Sequence, residues 1–152
     1  MSCWALIPFK GFDRGKSRLS GVLPRSERES LARRLFDHVV KVFGECTSVD
    51  GVAVVSSSAD ALAYARQLGV TTLEDPPDST GLADVVDSAL AQLEDLGATS
   101  ALICMSDLPE LSVQDVESVV RQLQESEVVL VPDLLHEGTN LVALRPPTTM
   151  ES

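Results

Sequence analysis

Trp4-Ala5-Leu6-Ile7-Pro8-Phe9-Lys10-Gly11-Phe12-Asp13-Arg14-Gly15-Lys16-Ser17-Arg18-Leu19 is the stretch whose reading decides the fold. Residues 3–8 form an apolar run too short for a helix, so they read as a buried strand. A polar loop follows, with basic residues at 10, 14, 16 and 18 and glycines at 11 and 15. Beyond it, Ser26 and Glu29 have the spacing of a capping box, and Leu31, Leu35, Phe36, Val39, Val40 and Phe43 recur at helical intervals. Gly44 is the expected stop of that helix. The unit is therefore strand, loop, helix. In an open α/β sheet such a loop leaves the carboxyl end of a strand, where ligands bind.

Charge makes the loop distinctive. The 152-residue chain has a net charge of −11, yet residues 1–41 hold nine Lys and Arg against four acids. An acidic body repels nucleic acid and anionic membranes, so neither is an expected partner. A small anion at the basic end is still favoured. The glycines allow close backbone approach, and each basic group offers a charge-assisted hydrogen bond to phosphate of about 1.5–3 kcal/mol. A Walker A loop needs four residues between glycine and Gly-Lys-Ser; Gly11 to Gly15 has three. The P-loop is excluded on spacing. Arg25, Arg28, Arg33 and Arg34 read as solvated helix-surface residues.

The rest of the chain alternates strand and helix. Residues 51–56 and 70–73 read as strands, separated by a helix capped by Ser57 or Ser58 and closed at Gly69. A polar loop over residues 74–81 precedes a helix from Leu82 to Leu96 that stops at Gly97 and buries Val85, Val86, Ala89, Leu90 and Leu93. Residues 101–105 form a fourth strand that runs into Asp107-Leu108-Pro109. Ser112 and Asp115 open the next helix, with Val116, Val119, Val120 and Leu123 on its apolar face. Residues 127–131 and 141–144 are the last strands, joined by a loop from Pro132 to Asn140 that is too short for a crossover helix. Continuous apolar strands alternating with helices predict an α/β fold: a parallel sheet covered on both faces, with the last strand antiparallel.

At this length one domain is expected, residues 1–152, burying about 70% of its unfolded surface. Cys3, Cys46 and Cys104 show no metal spacing and read as buried thiols of a reducing compartment. Lys10 interrupts the early apolar run, so no secretory leader is expected, and no run approaches the ~20 residues needed to span a bilayer. The expectation is a cytoplasmic protein.

Three loops carry candidate chemistry. The basic loop offers cations. Asp107, just past a buried strand, is a carboxylate suited either to Mg²⁺ or to capping the following turn. Thr139 and Asn140 offer neutral hydrogen bonds to an anion, or satisfy a turn; His136 reads as a surface loop residue and His38 as structural or solvated.

Together these loops resemble the 2-phospho-L-lactate guanylyltransferases of deazaflavin coenzyme F-420 biosynthesis, relatives of the molybdenum-cofactor guanylyltransferases. The matching pieces are Pro8-x-Lys10 with Lys16-Ser17-Arg18-Leu19, Gly81-Leu82, Asp107-Leu108-Pro109-x-Leu111, and Pro132-Asp133 with Gly138-Thr139-Asn140-x-Val142. The resemblance implies a Rossmann-like three-layer nucleotide-diphospho-sugar transferase (GT-A-like) fold. It also implies transfer of GMP from GTP to a phosphorylated three-carbon acid (2-phospho-L-lactate, phosphoenolpyruvate or phosphoglycerate), with pyrophosphate released. On this resemblance Lys10, Lys16, Arg18 and Asp107 are catalytic, and Pro8, Lys10, Lys16, Ser17, Arg18 and Gly81 bind nucleotide. Gly138, Thr139 and Asn140 bind the acceptor, Asp107 holds Mg²⁺, and the protein is a possible homodimer.

The sequence departs from the family at Ala83, where Asn is usual, and at Leu134 and His136, where the substrate loop is usually more basic and glycine-rich. Family members also continue past the point corresponding to Ser152, with a Phe-Gly-x-Gly-Ser segment for the acceptor and a late Asp for the metal. The chain is therefore expected to be short at its C-terminal end. Two alternatives share these residues: a non-catalytic nucleotide-binding or dimerisation domain, and a nucleotidyltransferase of other base or acceptor specificity.

Overall fold

The computed structural model describes residues 3–9, 25–56, 58–74, 82–104, 111–125, 128–132 and 139–144. Among the described residues six strands form one sheet: β1 (Cys3–Pro8), β2 (Gly51–Ser56), β3 (Thr71–Glu74), β4 (Ser100–Cys104), β5 (Val128–Pro132) and β6 (Thr139–Leu144). Their order is β3-β2-β1-β4-β6-β5. β1 is parallel to β2 and β4, β2 is parallel to β3, and β6 is antiparallel to both β4 and β5. The expected mostly parallel sheet with one antiparallel strand is what forms.

The helices described on its two faces are α1 (Arg25–Glu45), α2 (Ala59–Gln67), α3 (Leu82–Asp95) and α4 (Val113–Leu123). Alternation along each strand splits the apolar residues into two cores. Cys3, Ala5, Ile7, Val54, Leu102, Cys104, Leu141 and Ala143 face α1, α2 and α4. Leu6, Ala53, Val55, Ala101 and Leu144 face α3. On α1 the buried positions are Ala32, Phe36, Val39, Val42 and Phe43, whereas Leu31 and Leu35 are only half-buried. The buried helix face thus keeps Phe36, Val39 and Phe43 of the expected set and takes Ala32 and Val42 in place of the two leucines. The fully buried rings of Phe36 and Phe43 anchor it, because they remove the most apolar surface from water.

The helix ends show which local signals held. Ser58 caps α2 and Ser112 caps α4, and Ser112 and Asp115 exchange side-chain and backbone hydrogen bonds as a full capping box. Gly69 and Gly97 take left-handed φ values of 81° and 101°. In both places the next residue's N–H closes a Schellman bond, Val70 to the Ala65 carbonyl and Ala98 to the Leu93 carbonyl. Gly44 behaves differently: it stays helical and α1 runs on to Glu45. α1 also begins at Arg25, so Ser26 lies inside its first turn rather than capping it. β6 begins at Thr139, so Thr139 and Asn140 are strand residues, not loop residues. Ladder pairing of Thr139 with Pro132 extends the strand, and a β-branched residue suits that backbone.

One feature of the topology positions the candidate site. β1–α1–β2 runs across the sheet in one direction and β4–α4–β5 in the other, yet α1 and α4 lie on the same face. The two crossovers therefore have opposite hands, although such connections are nearly always right-handed. The consequence is that α4 packs beside α1 instead of beside α3.

Candidate active site at the carboxyl edge of the sheet

Strands β1 to β5 all point the same way, so their carboxyl ends share one edge of the sheet, and antiparallel β6 begins there. Residues 10–24 follow β1, residues 75–81 follow β3, residues 105–110 follow β4, and residues 133–138 join β5 to β6. Lys10, Lys16, Ser17, Arg18, Gly81, Asp107 and Gly138 fall in these four segments and lie outside the described residues, as does His136. What the fold establishes is that every one of these segments starts from the same edge. Pro8, Thr139 and Asn140 are described, at the end of β1 and the start of β6.

Strand order reverses between β1 and β4, the usual place for a ligand crevice. Among the described residues, pairing of β1 with β2 extends to Pro8–Val55 and pairing with β4 to Leu6–Ile103. The N–H of Phe9 donates to the Val55 carbonyl at 3.0 Å. Alternation then directs the preceding residue's backbone toward β4, and that residue is proline, which has no N–H to give. Pro8 thus keeps its pairing with β2 while offering no N–H toward β4.

The residue that leads into the basic segment is firmly held. Phe9 is 5% exposed, and its ring stacks on Phe36 with centroids 4.8 Å apart. Phe36 lies 6.0 Å from the Tyr64 ring, and the Arg33 guanidinium sits 5.1 Å from the Tyr64 centroid. Tyr64 Oη donates to Asp37, joining α2 to α1. Burial, then the hydrogen bond to Asp37, pushes the Tyr64 phenol up to about 12. Arg33 and Arg34 are exposed on α1, as expected. Phe9 went unnoticed in the sequence because it sits among charged residues; an aromatic directly after a strand-ending proline was the available signal.

His38 is structural, the first of the two roles the sequence allowed it, but its partner was not foreseen. Its Nε2 lies 2.9 Å from the Leu111 carbonyl oxygen, which can only accept, so the ring nitrogen donates. Leu111 ends the segment that contains Asp107. No sequence pattern links residues 73 positions apart.

The opposite edge of the sheet is built differently. A shallow cavity of about 540 Å³ lies there, lined in part by Trp4, Lys41, Asp50, Gly51, Leu68 and Thr71. Asp50 and the carboxyl ends of α1 and α2 face it, a setting unfavourable to a triphosphate. Cys3, Cys46 and Cys104 are buried and form no disulfide, as the sequence indicated. Among the described residues, no three His, Cys, Asp or Glu side chains group as a metal site, and no helix is long and apolar enough to cross a membrane.

A sheet of this order, carrying basic and acidic segments on one edge, invites comparison with known proteins. Residues 3–151 match the family described as guanylyl transferase CofC like. The chain belongs to that family. It is 34% identical over 153 aligned residues to a phosphoenolpyruvate guanylyltransferase of Sphaerobacter thermophilus, covering 99% of this chain and 72% of the relative. It is 33% identical to a 2-phospho-L-lactate guanylyltransferase of Methanothermobacter thermautotrophicus, covering 96% of this chain and 63% of the relative. Among solved structures, a protein of Desulfovibrio desulfuricans described as a nucleotide-diphospho-sugar transferase superposes with a TM-score of 0.82 at 18% identity. That match covers 99% of this chain and 67% of the other. The fold is therefore that of the nucleotide-diphospho-sugar transferases, and the family is one of nucleotidyl-transferring enzymes.

Proposed function

We propose that this chain transfers GMP from GTP to the phosphate of a small phosphorylated three-carbon acid, phosphoenolpyruvate or 2-phospho-L-lactate above phosphoglycerate, in coenzyme F-420 biosynthesis. The observation that carries it is convergence: in a member of a guanylyl transferase family, the basic segment, the Asp107 segment and the Thr139-Asn140 strand start all belong to one sheet edge.

In the reaction, an oxygen of the acceptor phosphate forms a bond to the α-phosphorus of GTP. The bond from that phosphorus to the bridging β-oxygen breaks, and pyrophosphate leaves with the electron pair. Such chemistry depends on positioning and charge neutralisation rather than on a protein nucleophile. Lys10, Lys16 and Arg18 bind the triphosphate and stabilise charge on the departing pyrophosphate. Ser17 adds a hydroxyl donor. Pro8, at the strand reversal and without an N–H to give toward β4, contributes to the nucleotide site, and Gly81 permits close approach of backbone to the nucleoside. Gly138, Thr139 and Asn140 orient the acceptor acid. The carboxylate of Asp107 is a hard oxygen donor of the kind Mg²⁺ takes, usually with phosphate and water completing the shell. Bound there, Mg²⁺ would supply charge neutralisation across the phosphates. We take the protein to work in the cytoplasm, without nucleic-acid or membrane partners, and to be capable of forming a homodimer.

The test is pyrophosphate release from GTP and Mg²⁺ with each acid offered separately. Release with one acid and with GTP in preference to CTP is the expected result. No release with any acid, while GTP still raises the melting temperature, would reduce the chain to a nucleotide-binding domain.

A further inference from the structure

We infer that His38 is a positioning residue: by holding the Leu111 carbonyl, it sets where the segment containing Asp107 rejoins the fold. The inference rests on the guanylyltransferase reading for its consequence, but on geometry alone for the contact.

Leu111 stands immediately before Ser112, the N-cap of α4. The first intrahelical bond of α4 runs from the Val116 N–H to the Ser112 carbonyl, so the Leu111 carbonyl receives nothing from the helix. His38, on a different helix and half-buried, supplies the donor at 2.9 Å. Two further devices hold the same point. Leu111 and Val116 occupy the N′ and N4 positions of a hydrophobic staple, and Leu111 packs against the core cluster that contains Val116. The Ser112–Asp115 capping box then fixes the first turn. Staple and box are local to α4. Among the described residues, the hydrogen bond that ties this entry point to α1, the helix that receives the chain from the basic segment, is that of His38.

That tie exists because α4 lies on the face of α1. With a β4–α4–β5 crossover of the usual hand, α4 would lie on the α3 face, out of reach of His38. The two segments expected to hold the triphosphate and its metal thus return to a pair of helices bonded to one another. A displacement of about 1 Å at such a junction is enough to cost turnover while leaving the core packed.

Two variants separate positioning from packing. Gln places an amide donor at about the reach of Nε2, whereas Met fills similar space without one. His38→Met should lower kcat/KM for pyrophosphate release about tenfold, chiefly in kcat, and His38→Gln should restore most of it. Hydrogen–deuterium exchange on peptides covering residues 105–116 should quicken in the Met variant and return toward wild type in the Gln variant. Peptides from β1 and β2 should be unchanged. Equal exchange in all three proteins would overturn the inference, as would a Met variant that loses thermal stability but keeps wild-type kcat/KM. Wild-type protein that releases no pyrophosphate would overturn the functional reading instead. The exchange comparison would still decide whether His38 holds this segment.

Discussion

The indole of Trp4 occupies the space that a side chain at residue 51 would need: a Cβ built on Gly51 falls 2.7–2.8 Å from three of its ring atoms. The two residues are register partners in β1 and β2 on the face that carries α3. A glycine in a strand usually marks such a close approach. Gly51→Ala should therefore push the ring away and destabilise the fold by about 1–3 kcal/mol. The chain has one tryptophan, so its emission reports Trp4 directly. A melting temperature and emission maximum identical to wild type would show that the indole does not depend on Gly51.

Tyr64 is the one tyrosine in the chain, which makes its titration readable by tyrosinate absorbance. Burial and Asp37 raise its phenol from 10 to about 12. The neutral form is favoured in the folded state, so this contribution to stability is complete below pH 10 and is lost as pH climbs toward about 12. The absorbance midpoint should lie near 12 in the native protein. In Asp37→Asn it should move down but stay above 10, since burial remains. An unchanged midpoint in that variant would refute the role of Asp37.

Glu117 shows the opposite sign. The Ser48 hydroxyl, and then backbone and hydroxyl donors of Ser48 and Thr47, hold its carboxyl below the usual 4.5. The ionised form is favoured in the folded state, so the contribution is present above about pH 4.5 and fades as pH falls through the depressed value. Glu117→Gln should flatten the acid limb of the stability curve while leaving its slope at neutral pH alone. Urea midpoints measured across that range decide it.

The three cysteines should be silent toward a thiol reagent at pH 8 and all react once the chain is denatured. Burial, with Glu117 and Glu45 nearby, pushes the Cys46 thiol up to about 11, and burial also raises Cys3. Cys46 Sγ donates to the Val42 carbonyl at 3.1 Å. One fast-reacting thiol in native protein would mean that a cysteine is far more open than its packing here.

Asp107→Asn should reduce pyrophosphate release at least about a hundredfold, comparable to the loss of one transition-state donor. Its melting temperature should match wild type, since an amide of the same size and shape replaces the carboxylate. Full activity in this variant would remove Asp107 from the metal site.

Much of this protein follows from local sequence. Cys3–Pro8 and Gly51–Ser56 were readable to the residue because short apolar runs bounded by polar turns have one economical solution, a buried strand. Gly69 and Gly97 ended their helices because a left-handed C′ residue is a local requirement that glycine meets without strain. The residue types of the candidate site were legible in the same way, since phosphate calls for cations and magnesium for carboxylate.

Tertiary structure decided the rest. Thr139 and Asn140 became strand because a ladder partner was present, which no local preference supplies. On α1 Ala32 and Val42 are buried while Leu31 and Leu35 are only half-buried, because contact with the sheet, not helical periodicity alone, selects what is covered. Placing α4 beside α1 depended on the hand of a crossover, and the bond from His38 to Leu111 depended on that placing. Sequence by itself determined the kinds of elements and the chemistry of their loops, because those depend on neighbours along the chain. Which loops share an edge, and which helix steadies them, depended on contacts between residues far apart in sequence, and those exist only once the chain has folded.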